Sequence, residues 1–517
     1  MNPTDSGSVP RTTGDRPLTL AELADLVGPP VQGDPGTAVT GVTLASSAVR
    51  PGDLFAALPG ANAHGVRYAV DAAGRGAVAV LTDAAGADEA RATGLPVCVV
   101  PDPRGVLGAV ASRVYGRPSE QLTVIGITGT NGKTTTSYLV EAGLAAAGLP
   151  SGLIGTVQTR TRGRDADGAP VTTELPSART TPEAPDLHAL LAGMVTSGVR
   201  AVVMEVSSHA LVLGRVNGVR FAAAGFTNLS RDHLDFHGDP ESYFQAKALL
   251  FDGRAAVEVV DVDDPAGRRL QRPGTVTVST AGAAADWSAT DVVGAAAGGS
   301  TFTLHGPGSR SWPARLRLPG AFNVANAVLA VALLDAVGVP PETALAGLAD
   351  TVVPGRMEPV DAGQPFVAVV DYAHTPDAVE TALAALRSAT GGRLLTVLGC
   401  GGDRDPGKRP GMGAAAAAGS DVLVITDDNP RSEDPAAIRA AMRAGAEEVP
   451  ADRRAEVLEV GDRRAALVAA VELARPGDTL LVAGKGHETG QEVAGQVSPF
   501  DDRAVLREIL QARTVDA

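Results

Sequence analysis

Along this chain, short apolar runs rich in β-branched residues each end in a polar cluster, and helical stretches separate them. Such runs read as buried strands. Val124-Ile125-Gly126-Ile127-Thr128 turns through Gly129 and Gly132 and opens a helical stretch over 137–147. Residues 202–206 form a second run, ending in Ser207-Ser208-His209, and 226–237 a third short strand with Asp232, His233, Asp235 and His237 beside it. Past Pro354-Gly355-Arg356 the pattern repeats four times. Run 366–370 ends in Asp371-Tyr372-Ala373-His374, and 394–398 ends in a Gly-rich stretch carrying Asp403-Arg404-Asp405. Run 422–425 ends in Asp427-Asp428-Asn429-Pro430-Arg431, and 480–482 in Gly484-Lys485-Gly486-His487-Glu488. Strands alternating with helices predict a parallel sheet. Ligands of such sheets sit outside the carboxyl ends of the strands, where all four clusters fall.

The first hundred residues follow a smaller version of the pattern. Residues 20–26 predict a helix, 77–81 and 97–100 predict strands, and a polar turn joins the strands expected over 41–47 and 50–58. Residues 1–17 are polar and rich in Thr, Ser, Gly and Pro, with no apolar core, which predicts a disordered tail and not a signal peptide. The boundaries expected from these shifts are 18–118, 119–353 and 354–517.

Length agrees: 517 residues suit about three domains. The net charge of −15 argues against nucleic-acid or acidic-membrane binding. Cys98 and Cys400 form neither a disulfide framework nor a metal pattern, so a reducing cytoplasm is expected. No apolar run approaches the ~18 residues of a membrane span; the run 327–334 stops at Asp335. The Ala-rich 414–418 predicts helix, and the Ala/Gly-rich 281–299 a surface hairpin region.

The chemistry concentrates at Gly129-Thr130-Asn131-Gly132-Lys133-Thr134-Thr135. A strand, a glycine turn and Lys-Thr at a helix start make a phosphate cradle of backbone N–H groups. Lys133 can reach the β/γ-phosphates and the Thr134 hydroxyl can bind Mg²⁺. The first glycine of the commonest spacing would fall at Ile127. Glu205 ends a strand where a Mg²⁺ ligand, or a ligand of its bound water, is usual. His233 beside it becomes a metal candidate, although the cluster could equally cap a helix. Lys247 lies in a helical stretch over 243–250, where a solvated lysine is the simpler expectation. Asn323 and Asn326, at i and i+3, share a helix face and could bind a base edge or cap the helix.

Taken together, 129–135, 205–209, 227–235, 428–431 and 484–488 resemble the motifs of the Mur ligase family, in family order from about residue 41 to 502. The resemblance implies an α/β fold of three domains: a small N-terminal α/β domain for the UDP end, a central P-loop-type ATPase domain with a mostly parallel sheet, and a C-terminal Rossmann-like domain. It implies a cytoplasmic, ATP- and Mg²⁺-dependent ligase, acting as a monomer, that activates a carboxylate as an acyl phosphate for attack by an amine. The loop's Gly-Thr-Asn-Gly-Lys-Thr form is the family's own, so Ile127 is no defect. By the resemblance, residues 129–135 bind ATP with Asn323, Asn326 and Arg356. Thr134, Glu205 and His233 hold Mg²⁺, and Lys247 is carboxylated to a carbamate that supports it. Lys133, Lys247 and His233 are the implied catalytic residues. Thr180, Thr181, Ser207 and Arg215 match contacts to a UDP-muramoyl dipeptide, and Leu44, Ser46, Ala61, Asn62 and Ala63 fall on its uridine side. Two departures stand out. The family's Asp-Ser-Arg is Ala45-Ser46-Ser47, and the Asn-Thr-Thr of many relatives is Arg179-Thr180-Thr181, with Arg179 unassigned.

Asp428-Asn429-Pro430-Arg431 resembles the signature of the branch that adds meso-diaminopimelate. Diaminopimelate carries a second zwitterionic centre; lysine ends in an ammonium alone. Arg431 and Arg404 can grip the distal carboxylate, Glu488 can take the distal ammonium, and the Gly484 backbone allows close approach. With lysine the arginines stay unpaired, at a cost on the order of a few kcal/mol. This cluster argues against the family's other ligases. Intact Lys133, Glu205, His233 and Lys247 argue against a regulatory protein that has lost catalysis.

Overall fold

The computed structural model describes residues 17–28, 33–60, 62–165, 167–294 and 299–516, so the tail expected over 1–17, apart from Pro17, lies outside the described residues, as does Ala61. Three sheets, each with helices on both faces, organise the chain. In the first, Gly41–Thr43, Asp53–Ala56, Ala79–Thr82 and Val97–Val99 pair in parallel in chain order. Successive residues of these strands point to opposite faces. Leu54 and Leu81 pack under the helices Leu20–Val27 and Pro103–Val114, and Phe55 and Val80 pack on the other side. Thr19 and Glu22 close a reciprocal capping box at the first helix.

The second sheet has eleven strands. Its parallel centre runs in the order Ser151–Ile154, Ala201–Glu205, Thr123–Thr128, Phe221–Phe226, Ala255–Asp261, Val276–Ser279, Trp287–Gly294. Antiparallel strands border it on both edges: Gln158–Arg164 and Pro170–Pro176 on one, Ser300–Gly306 and Arg310–Leu316 on the other. After Thr123–Thr128 the chain builds to one side and then to the other. The glycine loop therefore leaves the sheet at a switch in strand order, between Glu205, level with Ile127, and Phe226, level with Thr128.

The third sheet runs Glu358–Pro359, Val367–Asp371, Thr479–Ala483, Leu394–Cys400, Val422–Asp427, Glu456–Glu459, parallel except for the first strand. Its continuous apolar strands are those of a sheet buried on both faces, by Pro376–Ala389, Lys408–Gly419 and Pro435–Glu447 on one side and Arg463–Leu473 and Asp502–Asp516 on the other. A hairpin, Gly490–Val493 with Gln496–Pro499, projects beside it.

Some boundaries move. The helix after the glycine loop begins at Lys133, not at 137, because Thr134, Thr135 and Thr136 are buried in its first turn. The hairpin expected over 281–299 lies further along the chain, in Trp287–Gly294 and Ser300–Gly306. Trp287, 1% exposed, enters the core as part of a strand parallel to Val276–Ser279, and only Trp287–Gly294 and Ser300–Gly306 make antiparallel partners, with 295–298 outside the described residues. Among the described residues, no helix is long and apolar enough to cross a membrane.

Candidate active site

Gly129 (φ +147°) and Gly132 (φ +85°) make the turn that L side chains rarely could. No side chain caps the helix Lys133–Ala146, so its first N–H groups face outward as an anion site. Strand-end residues staple the loop in place. Asn131 donates its N–H to Asn228 Oδ1 (3.0 Å), Thr130 donates its N–H to the Asn228 carbonyl (2.8 Å), and the Thr227 hydroxyl donates to the Asn131 carbonyl (2.6 Å).

Two lysines converge here. Lys133 folds back so that its ammonium donates to the carbonyls of Gly129 (3.0 Å) and Thr130 (2.8 Å). Lys247, 1% exposed, donates to the same Gly129 carbonyl (2.7 Å) and stands 4.3 Å over the Tyr243 ring. The solvated lysine expected at 247 is thus corrected: its helix, Pro240–Ala248, turns it under the loop. Burial, and then the Lys133 charge, push the Lys247 ammonium well below the usual lysine range, with Asp232 opposing. Burial lowers Lys133 as well, against the pull of Glu205 and Asp232.

Glu205, also 1% exposed, accepts from the Thr134 hydroxyl (3.0 Å), the Thr156 hydroxyl (3.0 Å) and the Thr156 N–H (2.8 Å). His233 starts the short helix Leu234–His237 with φ +53° and packs edge-on to His209, ring centroids 4.8 Å apart, within 3.4 Å of Asp232. The hydroxyl–carboxylate half of the expected metal set is therefore assembled, and no hydrogen bond joins His233 to it. Among the described residues, no group of three or more His, Cys, Asp or Glu side chains is gathered to hold a metal unaided. That donor set suits Mg²⁺, which takes one or two protein oxygens and completes its shell with waters and substrate phosphates.

A cavity of about 320 Å³ opens from the loop toward the third sheet. Asn131, Gly132 and Thr135 line one end, Asn323 and Asn326 the wall, and Arg356, Tyr372 and His374 the far side. The two asparagines do not cap their helix, Ala321–Ala336, whose start is Gly320. Asn326 accepts from the Thr136 hydroxyl (3.3 Å) and donates to Asn323 Oδ1 (3.3 Å), and Asn323 donates to the Pro319 carbonyl (2.7 Å). Arg356 bridges the two sheets: its guanidinium stacks 4.4 Å from the Tyr372 ring and donates to the Thr134 hydroxyl (3.4 Å).

Thr180, Thr181, Ser207 and Arg215 form one cluster on the opposite flank. Thr180 meets the Thr156 hydroxyl (3.0 Å), the Thr181 hydroxyl donates to the Glu205 carbonyl (2.9 Å), and Ser207 donates its N–H to Thr181 (3.1 Å). Arg215 donates to the Thr181 carbonyl (3.3 Å) and pairs with Glu183 (2.8 Å). Arg179 and Arg104 also approach that carboxylate, at 3.6 and 3.4 Å. Three guanidinium groups around one carboxylate leave this flank cationic. Leu44 and Ser46 lie half-buried after the first strand of the N-terminal sheet, while Asn62 is exposed and Ala63 half-buried on a later loop.

At the third sheet, the 428–431 and 484–488 loops meet directly. Asn429 donates to Glu488 Oε2 (2.7 Å). The fully buried Lys485 donates to Asn429 Oδ1 (3.1 Å), and lies 3.4 Å from Glu488 and 3.5 Å from Asp428. Glu488, expected to take a distal ammonium, thus already shares Lys485 with Asp428. A Cβ on Gly484 (φ +108°) would sit 2.8 Å from Asp428 Oδ2, so the close approach requires glycine. Pro430 is buried behind Arg431, whose φ of +53° and donation to the Gly402 carbonyl (2.6 Å) aim its guanidinium across the 400–403 loop. The hairpin clamps this loop: Arg431 donates its N–H to the Glu492 carbonyl (3.0 Å), and its side chain lies 3.5 Å from Glu492. Arg404 stands exposed on the neighbouring loop, outside this hydrogen-bonded cluster.

Sequence reasoning placed Lys485 and Tyr372 in strand-end clusters without giving either a role, and missed Thr156 and Glu183, which carry no local signal.

Family models match along the chain in order: the Mur ligase family, catalytic domain, over residues 38–115; the Mur ligase middle domain over 127–334; and the Mur ligase, glutamate ligase domain, over 355–486. A Streptomyces avermitilis protein named UDP-N-acetylmuramoyl-L-alanyl-D-glutamate--2,6-diaminopimelate ligase is 55% identical over 97% of this chain and 98% of its own length. A solved structure of a ligase with that name is 30% identical, covering 96% of this chain and 99% of its own, at a TM-score of 0.68. The MurF ligase of Thermotoga maritima, solved in complex with ADP, shares the fold at 17% identity and a TM-score of 0.61, covering 92% of this chain and 98% of its own. The chain belongs to the Mur ligase family.

Proposed function

We propose that this enzyme adds meso-2,6-diaminopimelate to the D-glutamate of UDP-N-acetylmuramoyl-L-alanyl-D-glutamate, driven by ATP, in peptidoglycan precursor synthesis. The carrying observation is the 55% identity, over nearly the whole of both chains, to a relative bearing that name. The site supports it. The phosphate loop opens onto a cavity that reaches Arg356 and Tyr372 at the third sheet, and the cationic flank joins the loop's far side through Thr181 and Glu205.

ATP lies along residues 129–135, its base end in the cavity walled by Asn323 and Asn326. Lys133 exchanges its loop carbonyls for phosphate oxygens. Arg356, already touching Thr134, adds positive charge from the third sheet. A carboxylate oxygen of the dipeptide, held beside Thr180, Thr181, Ser207 and Arg215, attacks the γ-phosphorus and ADP leaves. The diaminopimelate amine then attacks the acyl carbon and phosphate departs. Such transfers depend chiefly on positioning and charge neutralisation. Thr134 and Glu205, with His233 nearby, would hold Mg²⁺, which neutralises phosphate charge when bound. Burial and the Lys133 charge favour the neutral form of the Lys247 amine, and that form adds CO₂, giving a carbamate and a proton. This replaces a buried cation that repels Lys133 with an anion.

Arg431 faces the distal carboxylate of diaminopimelate, with Arg404 swinging in from its exposed loop. Asp428, Asn429, Glu488 and the Gly484 backbone face the distal ammonium, and Pro430 stiffens the loop. Residues 18–118, with Leu44, Ser46 and 61–63, serve the uridine end, 119–353 the nucleotide, and 354–517 the amino acid. The enzyme works as a cytoplasmic monomer and thereby supports cell shape and division. Phosphate release is the test: it should require ATP, Mg²⁺, the muramoyl dipeptide and diaminopimelate together, and mass spectrometry should find the tripeptide. Release that needs no amino acid would contradict the proposal.

A further inference from the structure

The two loops that meet in the amino-acid site leave strands that are not neighbours. Leu394–Cys400 lies between Val422–Asp427 and Thr479–Ala483. The sheet ladder therefore fixes each loop's start against the middle strand, and not against the other loop. Beneath the direct contacts between the loops, a buried ion pair ties the two strand ends themselves together. Arg463 begins the helix Arg463–Leu473 and Asp502 the helix Asp502–Asp516, and both side chains are 0% exposed. The guanidinium binds the carboxylate through two bonds, Nε to Oδ1 (2.8 Å) and Nη2 to Oδ2 (2.7 Å). Its remaining reach goes to two carbonyls: Nη2 donates to Ala483 (3.0 Å) and Nη1 to Asp427 (3.2 Å). Those residues immediately precede Gly484 and Asp428.

We propose that Arg463 and Asp502 are positioning residues for the amino-acid substrate, setting the distance between the 428–431 and 484–488 loops and hence between Arg431 and Glu488. A buried pair often adds little stability beyond what well-packed apolar residues would give. A guanidinium that also gathers two non-adjacent strand ends has a geometric use that an apolar pair lacks. Its planar fork is what allows one side chain to hold a carboxylate and two carbonyls at once; a lysine at the same place keeps the charge and loses the fork. The loops meet through tight contacts, the 2.7 Å bond from Asn429 to Glu488 and the Gly484–Asp428 approach, so a small change in their spacing alters the whole pocket.

This inference rests on the proposed diaminopimelate ligation, and the wild-type enzyme tests that reading first: no diaminopimelate-dependent phosphate release would end it independently of Arg463. Given that activity, Arg463→Lys should raise the KM for diaminopimelate about tenfold and lower the preference over L-lysine by a similar factor. The KM values for ATP and the muramoyl dipeptide should stay within about twofold. In an Arg431→Ala background most of the effect should vanish, because both changes act on one pocket. Asp502→Glu, which keeps the charge and displaces the fork, should repeat the pattern. A lowered melting temperature with all KM values unchanged, or all raised together, would overturn the proposal. So would failure of both variants to fold, which would assign the pair to stability alone.

Discussion

The glycine loop and the proposed amino-acid site sit on sheets of the same kind, at strand ends of the same kind, and are built in opposite ways. Seven consecutive residues, 129–135, make the loop, and its own carbonyls and the adjoining strand end satisfy its polar groups. The pocket takes its groups from loops after three strands, spread from Gly402 to Glu492, and its charges are shared across those loops, as Lys485 is among Asp428, Asn429 and Glu488. A local site can serve any ligase that uses ATP. A dispersed site can be retuned one loop at a time, which suits the one proposed to distinguish one amino acid from another.

Changes at the loop should then reduce rate with every amino acid alike. Lys133→Ala is expected to lower kcat by about a thousandfold, since it removes a cation of the phosphate loop, while the ratio of diaminopimelate to lysine turnover stays put. A shifted ratio would break the separation of the two sites. Lys247→Ala should cost about a hundredfold. Wild-type protein incubated with ¹³C-labelled bicarbonate should show a carbamate resonance that the variant lacks; the same resonance in both would remove Lys247 from its assigned role. At the other site, Arg431→Ala should raise the KM for diaminopimelate by roughly thirtyfold, in keeping with loss of a charge-assisted pair, and leave the KM for ATP within about twofold.

The smallest effect belongs to neither site. His188, fully buried, makes one hydrogen bond, to the Asn217 carbonyl (3.0 Å), and burial pushes its imidazole down to about 4 from an ordinary 6.5. Between those values the unfolded chain takes up the proton and the folded one resists it. Stability is therefore intact above pH 6.5 and is lost as pH falls toward 4. Urea midpoints for His188→Gln should fall less steeply over that window than those of the wild type, with kinetics at neutral pH unchanged. Parallel acid limbs would show that His188 carries none of this loss.

The same contrast explains what was legible in the sequence. The strand–turn–helix at Thr123–Thr128 and Lys133–Ala146, and the four strand-end clusters of the third sheet, could be read because apolar period, glycine turns and strand-end polarity are local features. Lys247 could not be read as buried, since its helix has no strong apolar face and only the packing under Gly129 turns it inward. The pairing of Glu488 with Lys485, three residues earlier, carried no sequence signal beyond the glycines that flank the lysine. Arg463 follows Asp462 at a helix start, where a solvated charge is the ordinary expectation; its partner lies 39 residues on. Local signals thus revealed the glycine loop, and tertiary pairing hid how the proposed amino-acid site is held together.

That division makes discrimination between amino acids the sharpest test. Wild-type kcat/KM should be measured for meso-diaminopimelate and for L-lysine with ATP and the muramoyl dipeptide saturating. L-lysine lacks the distal carboxylate that Arg431 would bind beside Glu492, which predicts a preference for diaminopimelate of about a hundredfold or more. Equal turnover of the two amino acids would contradict the assignment of the pocket.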